Sequence, residues 1–171
     1  MNTTNRMASG LAFTPEKDLA MFAEMAADGK QLSGLSTLAH GWRFVDAAPE
    51  DAVFDLAYES DPAPDYFEIF AAAGWTLVLS MGNAHIFKAA TGTPQVHSTL
   101  ESQREEMVRQ RNLFARYSVV TLIAFVLIGR GVMLADWNSW VEMAVLVIAA
   151  IPVIYTVVPL IGYWNRAQKL S

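Results

Sequence analysis

Through the first hundred residues apolar positions come in short, punctuated bursts, and from Tyr117 onward they run almost without interruption. In TPEKDLAMFAEMAADG, residues 14–29, Leu19, Phe22, Met25 and Ala26 share one stripe at helical spacing. Thr14 stands at the N-cap, Pro15 at the first helical position and Gly29 at the stop, so the segment predicts a helix. DPAPDYFEIFAAAG, residues 61–74, repeats the design, with Asp65 and Glu68 spaced as a capping box, Tyr66, Phe70 and Ala73 as the apolar set, and Gly74 as the stop.

Strand patterns follow each helix. After Gly29 the alternation Leu32, Gly34, Ser36 is weak, but Trp42, Phe44 and Val45, then Val53, Phe54 and Leu56, read as two short strands joined by the turn AAPED. After Gly74, WTLVLS, AHIFK and QVHST read as three strands, with Gly82-Asn83 and Thr91-Gly92-Thr93-Pro94 as turns. Phe44 to Val53 and Phe87 to Val96 are both nine residues, so the two stretches keep register. The pattern predicts an α-β-β-β unit used twice with antiparallel strands, about residues 13–58 and 61–99, after a flexible N-terminus at 1–12. One three-stranded sheet with one helix buries little, so the two units are expected to share an α+β core built on Phe22, Trp42, Phe44, Phe70, Trp75 and Phe87.

The last third is made for another solvent. YSVVTLIAFVLIGRGVMLA, residues 117–135, and WVEMAVLVIAAIPVIYTVVPLIGYW, residues 140–164, each carry one charge. A helix needs about 20 apolar residues to cross a hydrocarbon core of roughly 30 Å, so both predict transmembrane helices. A domain of about 100 residues is too small to cover two helices that are apolar all round. Residues 136–139 form a short external loop, which makes the helices an antiparallel hairpin. Residues 100–116 read as a linker helix of mixed charge that continues into the first span, with its arginines toward the headgroups, and 165–171 as a tail.

The two intramembrane charges, Arg130 and Glu142, lie toward the same face of the bilayer and are expected to pair across the hairpin. Arg116, Trp137, Trp140, Tyr163 and Trp164 sit at the expected edges as interface anchors. Pro152 and Pro159 in the second helix read as passive bends. Arg104, Arg109, Arg111 and Arg116 precede the first span and Arg166 and Lys169 follow the second, while the connecting loop has no Lys or Arg. The positive-inside rule then puts both termini in the cytoplasm. The N-terminus lacks an apolar h-region, so no cleaved signal peptide is expected.

Composition sharpens this division. The mean hydropathy of +0.26 averages an ordinary front region with a strongly apolar one. Residues 1–99 hold five Lys and Arg against twelve Asp and Glu, a net charge of −7, which argues against direct nucleic-acid binding. Cysteine is absent, which removes disulfides and thiol chemistry. His85 and His97 on adjacent predicted strands, with Asp55 or Glu59 nearby, are the minimum for a zinc site, and His40 is the remaining histidine. Histidines so spaced are usually surface or satisfied core residues. No phosphate-cradling glycine loop, catalytic triad order or carboxylate pair stands out, so neither an enzyme nor a cofactor is expected.

MAADGKQL, GWRF, DAVFDLAYE, YFEIFAAAGWTLV and HIFK together resemble the bacterial DUF2812 family over about residues 13–100. Lys30 departs from the tryptophan usual in that family after the helix-ending glycine. The resemblance implies a membrane-tethered protein with a pair of C-terminal spans and a gene setting like that of accessories to PadR-type repressors. It implies no catalytic residues.

These readings converge on a cytoplasmic interaction or sensing domain anchored in the bacterial inner membrane by a hairpin. Its partners would be the bilayer and a protein or small ligand at the domain. The alternative is an accessory or regulatory subunit of a membrane transporter or membrane enzyme. Gly129, Gly131, Ala144, Ala149, Ala150 and Gly162 allow close helix packing, and with it a homo-oligomer.

Overall fold

The computed structural model describes residues 2–36, 40–95, 100–135 and 137–170. The chain forms two compact units, Met1–Leu100 and Glu101–Ser171. The first is α+β. It contains β1 (Thr3–Met7), α1 (Pro15–Ala27), β2 (Lys30–Leu35), β3 (Gly41–Asp46), β4 (Ala52–Tyr58), α2 (Tyr66–Ala72), β5 (Thr76–Met81) and β6 (Ala84–Ala90). The second consists of α3 (Leu100–Ala135) and α4 (Ser139–Lys169).

Two three-stranded antiparallel sheets, ordered β1-β3-β2 and β4-β6-β5, have the same topology. Their irregularities also coincide, because the β2–β3 register shifts between Leu32 and Gly34 and the β5–β6 register between Leu77 and Leu79. Each half is therefore β-α-β-β rather than the expected α-β-β-β, and β4 opens the second half instead of closing the first. The phase was missed because TTNRM is an edge strand with no fully buried side chain. Its place is set by backbone pairing alone, Thr4 opposite Phe44 and Arg6 opposite Trp42. The expected flexible N-terminus at 1–12 thus contains a strand. AAPED is likewise no hairpin turn, since it carries the chain from one sheet to the other. Of the expected strand QVHST, residues 96–99 lie outside the described residues.

Gly41 permits the pairing of β1, because a Cβ there would run into the carbonyl oxygen of Arg6. That oxygen belongs to the backbone and cannot swing aside. Gly41→Ala is expected to displace β1 and lower the stability of the unit by about 2 kcal/mol or more. Amide exchange checks this, with protection lost at Arg6 and Trp42 while the β4–β6 ladder keeps its own.

The core forms around Phe22, which is 1% exposed at the centre of α1. Its ring lies 5.0 Å from Trp42 and 6.1 Å from Phe44 on β3, and 5.7 Å from Phe54 on β4. The helix is thus covered on one side by its own sheet and on the other by a strand of the second half. Tyr58, buried on the same face of β4 as Phe54, donates its hydroxyl to the Leu11 carbonyl at 3.3 Å. The opposite face of that sheet supplies Val53, Ala57, Phe87 and Ala89, which pack with Trp75 and with Phe67 and Phe70 of α2. Phe67 stands to His85 and Phe87, at 5.2 and 6.3 Å, as Phe22 stands to Trp42 and Phe44. The second sheet is therefore covered on both faces, and β6 is buried from Ala84 to Phe87. By contrast α2 has no fully buried residue, and Ile69 is 63% exposed.

The helix ends differ in detail from the sequence reading. Asp65 and Thr14 occupy N-cap positions without making a side-chain cap, so the capping box does not form. The Thr14 hydroxyl donates instead to the Ser9 carbonyl at 3.3 Å. Gly29 and Gly74 end their helices at φ of +72° and +87°, the left-handed region where glycine is favoured.

Candidate functional site

The segment joining the halves, residues 47–51, is the first place where charged side chains from both sheets gather. Its backbone is pinned to the end of α1, with Ala47 N–H donating to the Gly29 carbonyl at 2.8 Å and Glu50 N–H to the Ala26 carbonyl at 2.9 Å. Two ion pairs flank it, Lys30 Nζ to Asp46 Oδ1 at 3.1 Å and Lys88 Nζ to Glu50 Oε2 at 2.5 Å. Thr91 Oγ1 donates to Asp51 Oδ1 at 2.9 Å. Its hydrogen bond to Lys30 holds the Asp46 carboxyl below its ordinary value. That pair therefore stabilises the fold above the ordinary aspartate range and ceases to do so as pH falls through the lowered value.

Beneath the segment is a cavity of about 20 Å³, lined by Ala26, Lys30, Glu50, Phe54, Val78 and Lys88. That volume holds about one water, far below the roughly 300 Å³ at which ligand pockets begin. Each ammonium already faces a carboxylate. Chemically the arrangement is a clamp on the linking segment, which Lys88 and Thr91 hold from the second half while Lys30–Asp46 lies within the first sheet. Lys30 lines it where the second half carries Trp75, buried and donating Nε1–H to the Pro94 carbonyl at 3.0 Å.

His85 is buried rather than available. Its Nε2 lies 3.0 Å from the Glu59 carbonyl and its Nδ1 2.9 Å from Ser80 Oγ, with the rings of Tyr66 and Phe67 beside it. A carbonyl only accepts, so Nε2 carries hydrogen, and in the neutral ring Nδ1 accepts from Ser80. Glu59 does meet His85, but through its backbone. The carboxylates of Asp55 and Glu59 accept from Leu56 N–H at 2.8 Å and Ser60 N–H at 3.0 Å. The His40 ring is exposed and His97 lies outside the described residues. Among the described residues no three metal-ligating side chains gather.

The second unit is a helical hairpin, and both helices are long and apolar enough to cross a membrane. Their 36 and 31 residues give lengths of about 54 and 46 Å, beyond a hydrocarbon core of roughly 30 Å. Register follows from four contacts. Arg111 lies over the Trp164 ring at 5.2 Å, and Phe114 lies against Tyr163 at 5.3 Å. Thr121 Oγ1 meets Thr156 Oγ1 at 2.9 Å, and a Cβ on Gly129 would lie 3.9 Å from Leu146. Each threonine hydroxyl also reaches a backbone carbonyl of its own helix, Ser118 for Thr121 and Pro152 or Val153 for Thr156. With one hydrogen apiece, one threonine donates to the other, which donates to its own backbone.

This register separates the expected intramembrane pair. Arg130 is level with Leu146, and Glu142 lies four residues nearer the connection, about 6 Å along the axis. Arg130 is exposed, Glu142 is half-buried in the first turn of α4, and no ion pair joins them. Trp137, Trp140 and Trp164 are 51%, 76% and 49% exposed and Arg116 is exposed, so these side chains point outward. Tyr163 does not, being 5% exposed against Phe114, so it is an interhelical contact and not an interface anchor. Sequence reasoning passed over Phe114, Thr121 and Thr156. The threonines, polar within apolar runs, were the available signal. Asn138 was also missed, and its side chain caps α4 by accepting from Trp140 N–H at 3.0 Å.

The model of a family described as a protein of unknown function, DUF2812, matches residues 14–119. The matched stretch begins at the N-cap of α1 and ends just inside the apolar part of α3. No curated protein and no solved structure matches the chain.

Proposed function

The chain belongs to the DUF2812 family, and from that premise we propose that it is a membrane-anchored protein whose α+β unit works by binding, not catalysis. One observation carries the anchor. On α3, Val119, Val120, Ile123, Val126 and Leu127 are 55–66% exposed, and on α4 Val147, Ile148 and Ile154 are 56–65% exposed. An apolar surface that continuous is a liability in water and the ordinary surface of a helix in lipid. The six cations at the open end of the hairpin, against none in the described connection, favour both termini on the cytoplasmic side of an inner membrane.

The binding role rests on the state of the α+β unit. Its central histidine, the lysines of its clamp and its aromatic core are all committed to structure, and its cavity is water-sized. What it presents outward is acidic surface and the exposed Ile69 of α2, a composition suited to a protein partner. The expected result is that the full chain stays with the membrane after alkaline carbonate extraction, and that a reporter fused behind Lys169 is active only in the cytoplasm. Release by carbonate would refute the anchor. A reporter active outside would reverse the orientation.

A further inference from the structure

Four arginines of α3 lie in two rows at heptad spacing, Arg104 with Arg111 and Arg109 with Arg116. A seven-residue step turns a helix by nearly two full turns, so the members of each row stack on one side. The seam toward α4 is marked by Arg111 over Trp164, Phe114 on Tyr163 and Thr121 on Thr156. The Arg104 and Arg111 row stands at that seam, and by helical phase Arg109 and Arg116 lie on the opposite face of α3.

The register of the hairpin brings the cations of α4 to the same place. With Arg111 on Trp164 and Phe114 on Tyr163, Arg166 is level with Gln110 and Lys169 with Met107. Arg109, Arg111 and Arg166 therefore share one level, about 10 Å below the start of the apolar run at Tyr117, and Arg116 stands at its edge. A headgroup layer extends roughly 5–8 Å beyond the hydrocarbon, and an arginine side chain spans the remaining gap. The carboxylates on the same stretch are Glu101, Glu105 and Glu106, and Glu106 is buried, so cations dominate the surface. Trp164, half-exposed beside the Arg111 guanidinium, sits where an interfacial aromatic belongs.

We propose that this collar, Arg109, Arg111, Arg116 and Arg166 around the open end of the hairpin, selects anionic phospholipids, its guanidiniums binding headgroup phosphates of the adjoining leaflet. The inference rests on the membrane reading above and adds a preference that insertion alone does not require. Arg111 already gives Nε and Nη2 to Asn112 Oδ1 at 3.2 and 2.9 Å, so a phosphate meets its remaining donors together with those of the other guanidiniums, which the collar sets near one depth.

The test reconstitutes the full chain into nanodiscs of phosphatidylcholine mixed with phosphatidylglycerol and measures which lipid is retained around the protein by native mass spectrometry. With each guanidinium favouring an anionic neighbour as estimated for a cation at a charged leaflet, phosphatidylglycerol should be enriched about fivefold over its bulk share. High salt should reduce the enrichment. Arg109→Gln with Arg116→Gln, both exposed and outside the Trp164 stack, should at least halve it. Insertion without enrichment would overturn the collar and leave the anchor standing. Enrichment untouched by both substitutions and by salt would also overturn it. Loss of enrichment on adding millimolar glycerol phosphate would assign the site to a free phosphate instead of a bilayer. Failure to enter the nanodisc bilayer would instead refute the membrane reading.

Discussion

Phe22→Ala is expected to lower the stability of the α+β unit by about 3–5 kcal/mol, a large part of the roughly 5–15 kcal/mol that holds a domain together. The ring is 1% exposed and meets Trp42, Phe44 and Phe54, so its removal opens a cavity bounded by both sheets. The backbone cannot close around that cavity without shifting α1, which the Ser9 N–H to Asp18 Oδ1 bond of 2.8 Å ties to the preceding loop. Phe67 provides the control. It occupies the matching place in the second half but is only half-buried, because among the described residues no strand covers α2 as β4 covers α1. Phe67→Ala should therefore cost about half as much or less. Urea denaturation of the full chain in detergent, followed by tryptophan fluorescence, measures both. Equal losses would mean that the inter-half contact through Phe54 contributes nothing.

The second large effect depends on solvent. Val126 is 60% exposed at the middle of the apolar part of α3. On a protein facing water, Val126→Asp would fall within about 0.5 kcal/mol of neutral, as exposed substitutions usually do. At the centre of a bilayer the same aspartate costs about 3 kcal/mol, roughly a hundredfold in the insertion equilibrium. An insertion reporter reading α3 in place should show that fall for Val126→Asp and no comparable fall for Val126→Ala. Equal insertion of the two would place α3 outside the hydrocarbon.

These two experiments probe the two things that hydrophobic pattern encodes well, which are the places a side chain avoids water and the places a whole segment does. Phe22, Trp42, Phe44, Trp75 and Phe87 were legible as core because each is large, apolar and in phase with its element, and all five are buried. Phe70 was legible too, and its ring packs on Phe87 at 4.4 Å, but on the short helix α2 it stays half-buried. The Arg and Tyr positions of the hairpin were visible as residues, yet their partners were not. Arg130 and Glu142 looked adjacent because both lie near the connection, and Tyr163 looked like an anchor because it adjoins Trp164. Helical register separates the first two and turns the third inward.

From its residues alone this chain divides into a polar doubled region and an apolar hairpin, since that division is a sum over single-residue preferences for water or for a dry surround. Tertiary structure alone settled that each half starts with a strand and that AAPED crosses between sheets. It also showed that His85 is held by a serine and a carbonyl, and that two threonines bridge the hairpin. All of these depend on which distant backbone or hydroxyl comes within hydrogen-bonding reach, and an unpaired edge such as TTNRM advertises no partner until the other strand is in place.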